Sequence, residues 1–353
     1  KADAYGHGAL PGARAALSGG ASWLAVATAQ EALELRRGGI AGPPVLIMGL
    51  TQGAELEAAL RASCDVVVWR EEHVDDLERT ESVLGESGGA RVHVKLDTGM
   101  GRLGTRDPEA ALRIAARVAA ADGMRLAGVM THLATADELE DGGFFARQIE
   151  TFRPFADRVR AEHPGTIAHA ANSAAVLRSH DAHFDMVRCG IALYGMDPFG
   201  TDPLARDLAP ALTLRSVLVD VKLCRAGQST GYGRRFVAER DTWLGVMAIG
   251  YGDGFRRGLS NNAEVLVDGE RRRVLGTVSM DHVAVDLGQD PASERLRGAE
   301  VVAIGAQGRE RVTAEELAAR LGTINYEITC GIGARVGRVH AGGAADERSP
   351  QGG

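Results

Sequence analysis

The chain begins with a lysine, Lys1, which leads directly into a short segment that ends Tyr5-Gly6-His7-Gly8. A lysine amine can form an imine with an aldehyde, and many enzymes hold a carbonyl cofactor through that bond. A terminal lysine taken alone is more often a solvated charge. Both interpretations stay open until the rest of the chain is considered.

A second basic group occurs in the segment 93–104, where Lys95 is followed by Asp97 and then by Arg102 in a glycine-rich turn. The guanidinium of Arg102 has the fork geometry that suits a carboxylate or a phenolate oxygen. Lys95 shares a strand face with Asp97, and a lysine directed into a protein interior requires a partner. From these residues alone, an ion pair between Lys95 and Asp97 is the favoured interpretation.

Polar residues also follow two further apolar runs. His132 lies two residues after the run 126–130, and Asn172 and Ser173 follow the run 166–170. A histidine at such a position is catalytic or structural with about equal odds. Ser173 begins a predicted helix and can bind an anion there, although Asn172 or Ser173 can equally act as a helix N-cap.

The last apolar run, 185–189, carries Arg188 and is followed by Gly190 and Ile191. Parallel βα barrels often bind phosphate with the loops that follow strands 7 and 8. Ser173, Gly190 and Ile191 occupy those two loops if one strand precedes Lys1. The count therefore predicts a ligand that bears a phosphate, while Arg188 can also be a buried ion-pair partner.

The elements that must position these residues alternate between strands and helices up to about residue 210. Apolar runs alternate with helical patterns, which is typical of parallel βα units. The predicted helices cover 8–18, 29–38, 53–62, 71–83, 107–121, 144–162 and 173–179. The predicted strands are 22–28, 45–49, 64–69, 91–96, 126–130, 166–170 and 185–189. These seven strands and one before Lys1 would complete a (β/α)8 TIM-type barrel over 1–210.

A mostly antiparallel β domain is predicted over 211–340. Asp268-Gly269 is a hairpin signal, and Thr313 with Glu316 three residues later has the spacing of a capping box. The segment 341–353 is poor in apolar residues and is predicted to be disordered. The predicted strands are 212–223, 242–249, 263–268, 273–278, 283–287 and 300–304.

The totals for the 353 residues exclude several classes of protein. The net charge of −7 gives no electrostatic footprint for nucleic acid, and no apolar run is long enough to span a membrane. The four cysteines are scattered, which favours free thiols in a reducing compartment and a cytoplasmic location. No metal site is predicted.

Taken together, these motifs closely resemble those of the alanine racemase family, whose members are fold type III enzymes dependent on pyridoxal 5'-phosphate (PLP). The matching segments occur in the family's order, and they include Gly250–Gly254 around Tyr251 and Ser279–Asp281 in the second domain. The resemblance implies racemisation of L- and D-alanine, which supplies D-alanine for peptidoglycan, by a homodimer with shared active sites.

The resemblance also implies a role for each site residue. Lys1 and Tyr251 would be the two catalytic bases, with Lys1 serving D-alanine and the Tyr251 of a second subunit serving L-alanine. Lys95 would be carbamylated and would orient Arg102. Substrate would be bound by Arg102, Met280 and Asp281. Cofactor would be bound by Lys1, Tyr5, His132, Asn172, Ser173, Arg188, Gly190 and Ile191.

One departure leaves alternatives open. At Ala334 many family members carry a tyrosine that touches the phosphate and narrows the substrate entry. A broad-specificity amino acid racemase is therefore the first alternative. A PLP-dependent decarboxylase is disfavoured by Arg188, because such enzymes usually place an acid at the pyridine nitrogen. A non-enzymatic PLP carrier is disfavoured by the second domain.

Overall fold

The computed structural model describes residues 1–84 and 89–341, and these form two compact units. The first comprises Lys1–Ala4, Gly8–Gly190 and residues 340–341, and the second comprises Tyr5–His7 and Ile191–Val339. The domain boundary predicted at residue 210 stays a prediction. Apart from Ala341, the tail predicted to be disordered lies outside the described residues.

The first unit contains a parallel sheet of six strands that pair in chain order, as in the wall of a βα barrel. Every residue of the second and third strands is buried, because parallel strands are covered on both faces. The strands are β1 (Leu24–Val26), β2 (Val45–Ile47), β3 (Asp65–Val68), β4 (Ala90–Lys95), β5 (Met124–Met130) and β6 (Ile167–His169).

Helices of the first unit alternate with the strands as predicted, and their boundaries differ from the prediction by at most one residue. A further short turn, α1 (Ala2–Tyr5), has left-handed φ values throughout. The helices are α2 (Ala9–Ser18), α3 (Ala29–Arg37), α4 (Gly53–Arg61), α5 (Glu71–Leu84), α6 (Pro108–Ala120), α7 (Phe144–Glu162) and α8 (Ser173–Arg178). No helix in the described ranges is long and apolar enough to cross a membrane.

The strand predicted at 185–189 is wrong as a regular strand. The segment makes one isolated parallel bridge, between Met186 and His169. The Asp185 carboxylate accepts the Ala168 backbone N–H at 2.7 Å, so a side chain takes a donor that a regular ladder would use. The Arg188 backbone N–H nevertheless donates to the Ala171 carbonyl, so the segment still runs beside the end of β6.

The second unit is an antiparallel sheet in the order β11-β12-β13-β10-β7-β14-β15, and a β11–β14 pairing closes it on itself. Five of the six predicted strands are confirmed to within three residues at each end, and the strand predicted at 273–278 lies three residues earlier, at Glu270–Leu275. The short β8, β9, β15 and α10 were missed. The strands are β7 (Leu214–Cys224), β8 (Ser229–Thr230), β9 (Phe236–Val237), β10 (Thr242–Met247), β11 (Glu264–Val267), β12 (Glu270–Leu275), β13 (Val283–Gly288), β14 (Glu300–Gln307) and β15 (Glu310–Val312). The helices are α9 (Ala314–Leu321) and α10 (Asn325–Cys330).

The predicted hairpin and helix start both occur in this unit. Asp268 and Gly269 have φ values of 54° and 75°, as a two-residue type I′ turn requires. The Thr313 hydroxyl caps α9 by accepting the Glu316 backbone N–H at 3.1 Å. The Glu316 carboxylate instead accepts from Arg271 and Arg320, so it is committed to ion pairs within the unit.

Removal of this cap gives the first testable prediction. Thr313→Ala should lower the free energy of unfolding by about 1 kcal/mol, because one N–H of α9 loses its acceptor. Thr313→Ser keeps the hydroxyl and serves as the control. The denaturant midpoint of each variant measures the effect, and equal midpoints for the alanine and serine variants would contradict the assignment.

Candidate active site

Four cationic side chains of the first unit lie close enough to one half-buried histidine, His132, to lower its pKa. Burial and then the charges of Arg188, Lys95, Arg102 and Lys1 lower the pKa of His132 to about 3. His132 is therefore neutral near pH 7. Its Nδ1 faces an Nη2 of Arg188 at 3.3 Å and must accept, so the ring proton resides on Nε2.

Arg188 is fixed by hydrogen bonds to residues at the ends of two barrel strands, β5 and β6. Its Nη2 donates to the Thr131 carbonyl at 2.8 Å and to the Ala170 carbonyl at 3.0 Å, and its Nη1 donates to His169 Nδ1 at 2.8 Å. Burial lowers the Arg188 pKa to about 10, so the side chain remains a cation near neutrality. Within the described residues its Nε makes no hydrogen bond and its Nη1 makes one, so Nε and the second N–H of Nη1 remain for a ligand.

Lys95 ends β4 and is buried, with 5% of its surface exposed. Burial and then Arg188 and Arg102 lower its pKa to about 8, against a smaller opposite effect of Asp97. The ion pair between Lys95 and Asp97 is not formed. The Asp97 carboxylate instead accepts from the backbone N–H groups of the turn at Gly99 and Gly101 and from Arg106 at 3.1 Å.

Arg102 lies on the turn that the Asp97 carboxylate stabilises. It is exposed, and among the described residues it forms no hydrogen bond or ion pair. An arginine that is close enough to Lys95 and His132 to lower their pKa values, yet has no partner of its own, is available to an anion.

Gln148 was not predicted as a site residue, although it holds two of the predicted segments together. Its side chain is fully buried on α7 and donates at 3.2 Å both to the Thr98 hydroxyl and to the His132 carbonyl. Its oxygen accepts the Ala134 backbone N–H at 2.8 Å. The only sequence signal for this role is a polar residue on the apolar face of a helix.

The predicted phosphate-binding residues of the first unit lie together. The buried Ser173 hydroxyl accepts the Gly190 backbone N–H at 2.8 Å, which joins the start of α8 to the segment after Arg188. Asn172 is the N-cap of α8, since its side chain accepts the Ala175 N–H at 3.0 Å. The sequence left this capping role open.

Two predicted cofactor residues belong to the second unit, and their assignment stays a prediction. Ile191 is buried at the start of the short 3₁₀ helix Ile191–Tyr194. The Tyr5 ring packs against the rings of Tyr194 and Tyr326, with centroids 5.5 and 5.8 Å away. Burial raises the pKa of the Tyr5 phenol, so it remains protonated at neutral pH.

Tyr251, Met280 and Asp281 lie in two adjoining loops of the second unit. The Tyr251 backbone N–H donates to the Ser279 carbonyl at 3.0 Å. A side chain at Gly250 would come within 2.4 Å of Met280 backbone atoms, so only glycine permits this close approach. The Tyr251 side chain is 41% exposed and that of Met280 52% exposed, so both are accessible from outside this unit.

Arg335 links the same two loops from the other side. Its Nε donates to Asp253 at 2.7 Å, and its Nη2 donates to Asp281 at 2.6 Å. Ala334, where the sequence departs from the family pattern, is exposed beside it.

Known proteins with a similar sequence cover almost the whole chain. Residues 1–198 match the alanine racemase N-terminal domain, and residues 211–340 match the alanine racemase C-terminal domain. The alanine racemase of Symbiobacterium thermophilum is 42% identical over 98% of this chain and 90% of its own length. The alanine racemase of Thermobifida fusca is also 42% identical, over 97% of this chain and 90% of its own length.

Solved structures of alanine racemases are also similar to this chain. The alanine racemase of the D-cycloserine-producing Streptomyces lavendulae has a TM-score of 0.89 and 39% identity, over 97% of this chain and 89% of its own. The alanine racemase of Bacillus anthracis with bound L-Ala-P has a TM-score of 0.83 and 36% identity, over 95% of this chain and 85% of its own. The predicted fold class, a (β/α)8 TIM-type barrel followed by a mostly antiparallel β domain, is thereby confirmed. Domain matches and identities of this extent show that the chain belongs to the alanine racemase family.

Proposed function

We propose that this protein interconverts L- and D-alanine with PLP as its cofactor. The observation that carries the proposal is the group of four cations, Lys1, Lys95, Arg102 and Arg188, around the neutral His132. Such a concentration of positive charge suits a ligand with a phosphate and a substrate with a carboxylate. The family membership supports the same reaction.

The residues of the first unit fit the cofactor. Lys1 would hold its aldehyde covalently, and the Arg188 Nε would donate to its pyridine nitrogen. The Ser173 hydroxyl and the Gly190 N–H, which already lie together, would face its phosphate. When bound, PLP makes the Cα proton of an amino acid acidic by drawing electrons away from that carbon.

Arg188 limits how strongly electrons are withdrawn. A guanidinium that stays protonated donates a hydrogen bond to the pyridine nitrogen and does not give it a proton. Arg188 would therefore weaken the withdrawal of electrons from Cα, and prompt return of a proton to that carbon by an acid of the protein would be required. This favours racemisation over transamination or decarboxylation.

Inversion at Cα requires a proton donor and acceptor on each face. We assign Lys1 to the face of D-alanine and the Tyr251 of a second subunit to the face of L-alanine, which makes a homodimer the active form. The Nε2–H of His132 is left to donate to a phenolate oxygen, because its Nδ1 accepts from Arg188. Arg102, Met280 and Asp281 would bind the carboxylate end of the substrate.

Carbamylation of Lys95 gives a second testable prediction. Only a neutral amine reacts with CO2, and a pKa of about 8 makes that form about 300-fold more abundant near pH 7 than a pKa of 10.5 would. The resulting anion would pair with the unpartnered Arg102.

Protein equilibrated with 13C-labelled CO2 should show one carbamate 13C signal that strengthens as the pH rises towards 8. Lys95→Arg should lack this signal, because its side chain does not lose its proton. Lys222→Arg, which changes an exposed lysine of the second unit, should retain it. A signal that persists in Lys95→Arg would contradict the assignment.

Chiral analysis of alanine tests the proposed function directly. PLP-loaded protein incubated with L-alanine should produce D-alanine until the two are equal, and D-alanine should give the same end point. Release of CO2 without D-alanine would instead indicate a decarboxylase, and neither product would indicate a PLP carrier. Racemisation of larger amino acids at comparable rates would favour the broad-specificity alternative suggested by Ala334.

The product and the location follow from the same proposal. D-alanine would supply peptidoglycan synthesis, as in the family. All four cysteines are free thiols in the structure, and a cytoplasmic location remains our prediction from them.

A further inference from the structure

A row of buried polar side chains extends from Arg188 into the interior of the parallel sheet, and neither the family motifs nor the proposed function uses all of it. His169 Nδ1 lies 2.8 Å from Arg188, and His169 Nε2 lies 2.9 Å from His93 Nδ1. His93 Nε2 in turn lies 3.1 Å from an oxygen of Asp65. Asp65, His93 and His169 are each 0% exposed.

Chemistry allows only one arrangement of protons along this row. A guanidinium only donates, so His169 Nδ1 must accept, and the proton of that ring is on Nε2. His93 Nδ1 must therefore accept, which places its proton on Nε2, where the Asp65 carboxylate accepts it. Burial lowers the pKa of both imidazoles, so each ring is neutral and carries this one proton.

A glycine makes the row possible. His93 on β4 and His169 on β6 are separated by β5, and Gly128 of β5 is the residue paired with His93. A Cβ at Gly128 would lie 2.3 Å from His93 Nδ1. The contact between the two rings therefore crosses the middle strand only because that position has no side chain.

Stability alone does not account for this arrangement. One oxygen of Asp65 is buried with no hydrogen-bond partner among the described residues, and Arg91 reaches only the other oxygen, at 3.0 Å. A buried charge that is incompletely satisfied costs stability, and apolar side chains of similar size would avoid that cost. The row is better explained by what it does at its other end.

We infer that Asp65, His93 and His169 are positioning residues that fix the orientation of Arg188 by keeping a lone pair of His169 directed at its Nη1. With Nη2 and one N–H of Nη1 held in place, the plane of the guanidinium is fixed, and with it the direction of the Nε–H that the proposed function assigns to the pyridine nitrogen. This inference rests on the proposed function, because Arg188 is assigned there to the cofactor.

His93→Leu breaks the row, and His93→Gln is the conservative rescue, because an amide can donate to Asp65 and accept from His169. His73→Leu, which changes a buried histidine of α5 outside the row, is the matched control. Gly128→Ala displaces the His93 ring without removing a polar group, and it replaces His93→Leu if that variant does not fold.

The proton positions are read from 15N-histidine NMR spectra of the full chain before PLP is added. In the wild type, both His93 and His169 should have an unprotonated Nδ1, and His93→Leu should shift the His169 nitrogens. His93→Leu should also lower the PLP affinity and kcat about tenfold each, and leave KM for alanine within about twofold. His93→Gln should recover most of both losses, and His73→Leu should change neither.

The two proposals fail separately. A protonated Nδ1 on His169 in the wild type would overturn the inference whatever the enzyme does. Normal kcat and PLP affinity in both His93→Leu and Gly128→Ala would also overturn it, even if the wild type racemises alanine. A wild-type protein that binds no PLP would overturn the proposed function together with the catalytic part of the inference.

Discussion

Lys1→Ala should abolish racemisation in both directions, with kcat lowered by at least about 1000-fold. The substitution removes both the amine that would hold the cofactor and the base assigned to the D-alanine face. Rates of D-alanine formation and of L-alanine formation, each measured by chiral chromatography with saturating PLP, test this. The effect should be the largest of any single substitution in the first unit.

Lys1→Arg is the matched control, because it keeps the positive charge beside His132 but forms no stable imine. It should lose as much activity as Lys1→Ala. Borohydride reduction of the wild type should add the mass of the cofactor to the peptide that contains Lys1, and neither variant should show this adduct. Substantial activity in Lys1→Arg would show that charge, and not the covalent bond, is what the site requires.

Tyr251→Phe should affect the two enantiomers differently when exchange of the Cα proton is measured in D2O. Exchange from L-alanine should fall by about 100- to 10,000-fold, because the general base assigned to that face has lost its hydroxyl. Exchange from D-alanine should be largely retained, since Lys1 serves that face. Net racemisation should fall in both directions, because inversion requires both groups.

Proton NMR of the alanine Cα position, recorded separately from each pure enantiomer, gives both rates. Tyr232→Phe is the control, because Tyr232 is a 73% exposed tyrosine of the same unit with no assigned role. Equal loss of exchange from L- and D-alanine in Tyr251→Phe would contradict the assignment of the faces. Unchanged exchange from both would remove Tyr251 from the mechanism.

Local patterns predicted most of the fold. The helix at 144–162 has its predicted bounds because its apolar residues recur with helical spacing, and Phe152 and Phe155 on that face are buried. The Asp268-Gly269 turn follows from backbone preferences of these two residue types. Such features depend on residues that are close together in the sequence, so a single sequence is enough to predict them.

Features that depend on which of several possible partners a polar group binds were missed. The segment 185–189 has the composition of a strand, but the Asp185 carboxylate takes the backbone donor of Ala168. Lys95 and Asp97 have the spacing of an ion pair, but the turn's N–H groups and Arg106 satisfy Asp97 instead. Partners 17 residues apart, as in the first case, are decided by the tertiary structure.

The residues of the candidate site also divide into those that the sequence could predict and those that it could not. His132 and Arg188 could be proposed from their places after apolar runs, and the structure brings them within 3.3 Å of each other. Gln148 and Asp65 could not be proposed from the sequence, because the role of a buried amide or carboxylate becomes clear only when its hydrogen-bond partners are known.

The row from Asp65 to Arg188 also bears on how the strands find their correct alignment. Side chains of a strand alternate between its two faces, so a slip of one residue by β4 would turn His93 away from the interior. Asp65 and His169 would then lose their hydrogen bonds to the His93 ring in an interior that water does not reach. Unpaired polar groups in such an interior lower the stability of the folded protein. Misaligned sheets are therefore penalised by the same three side chains, and an all-apolar interior would tolerate such slips more readily.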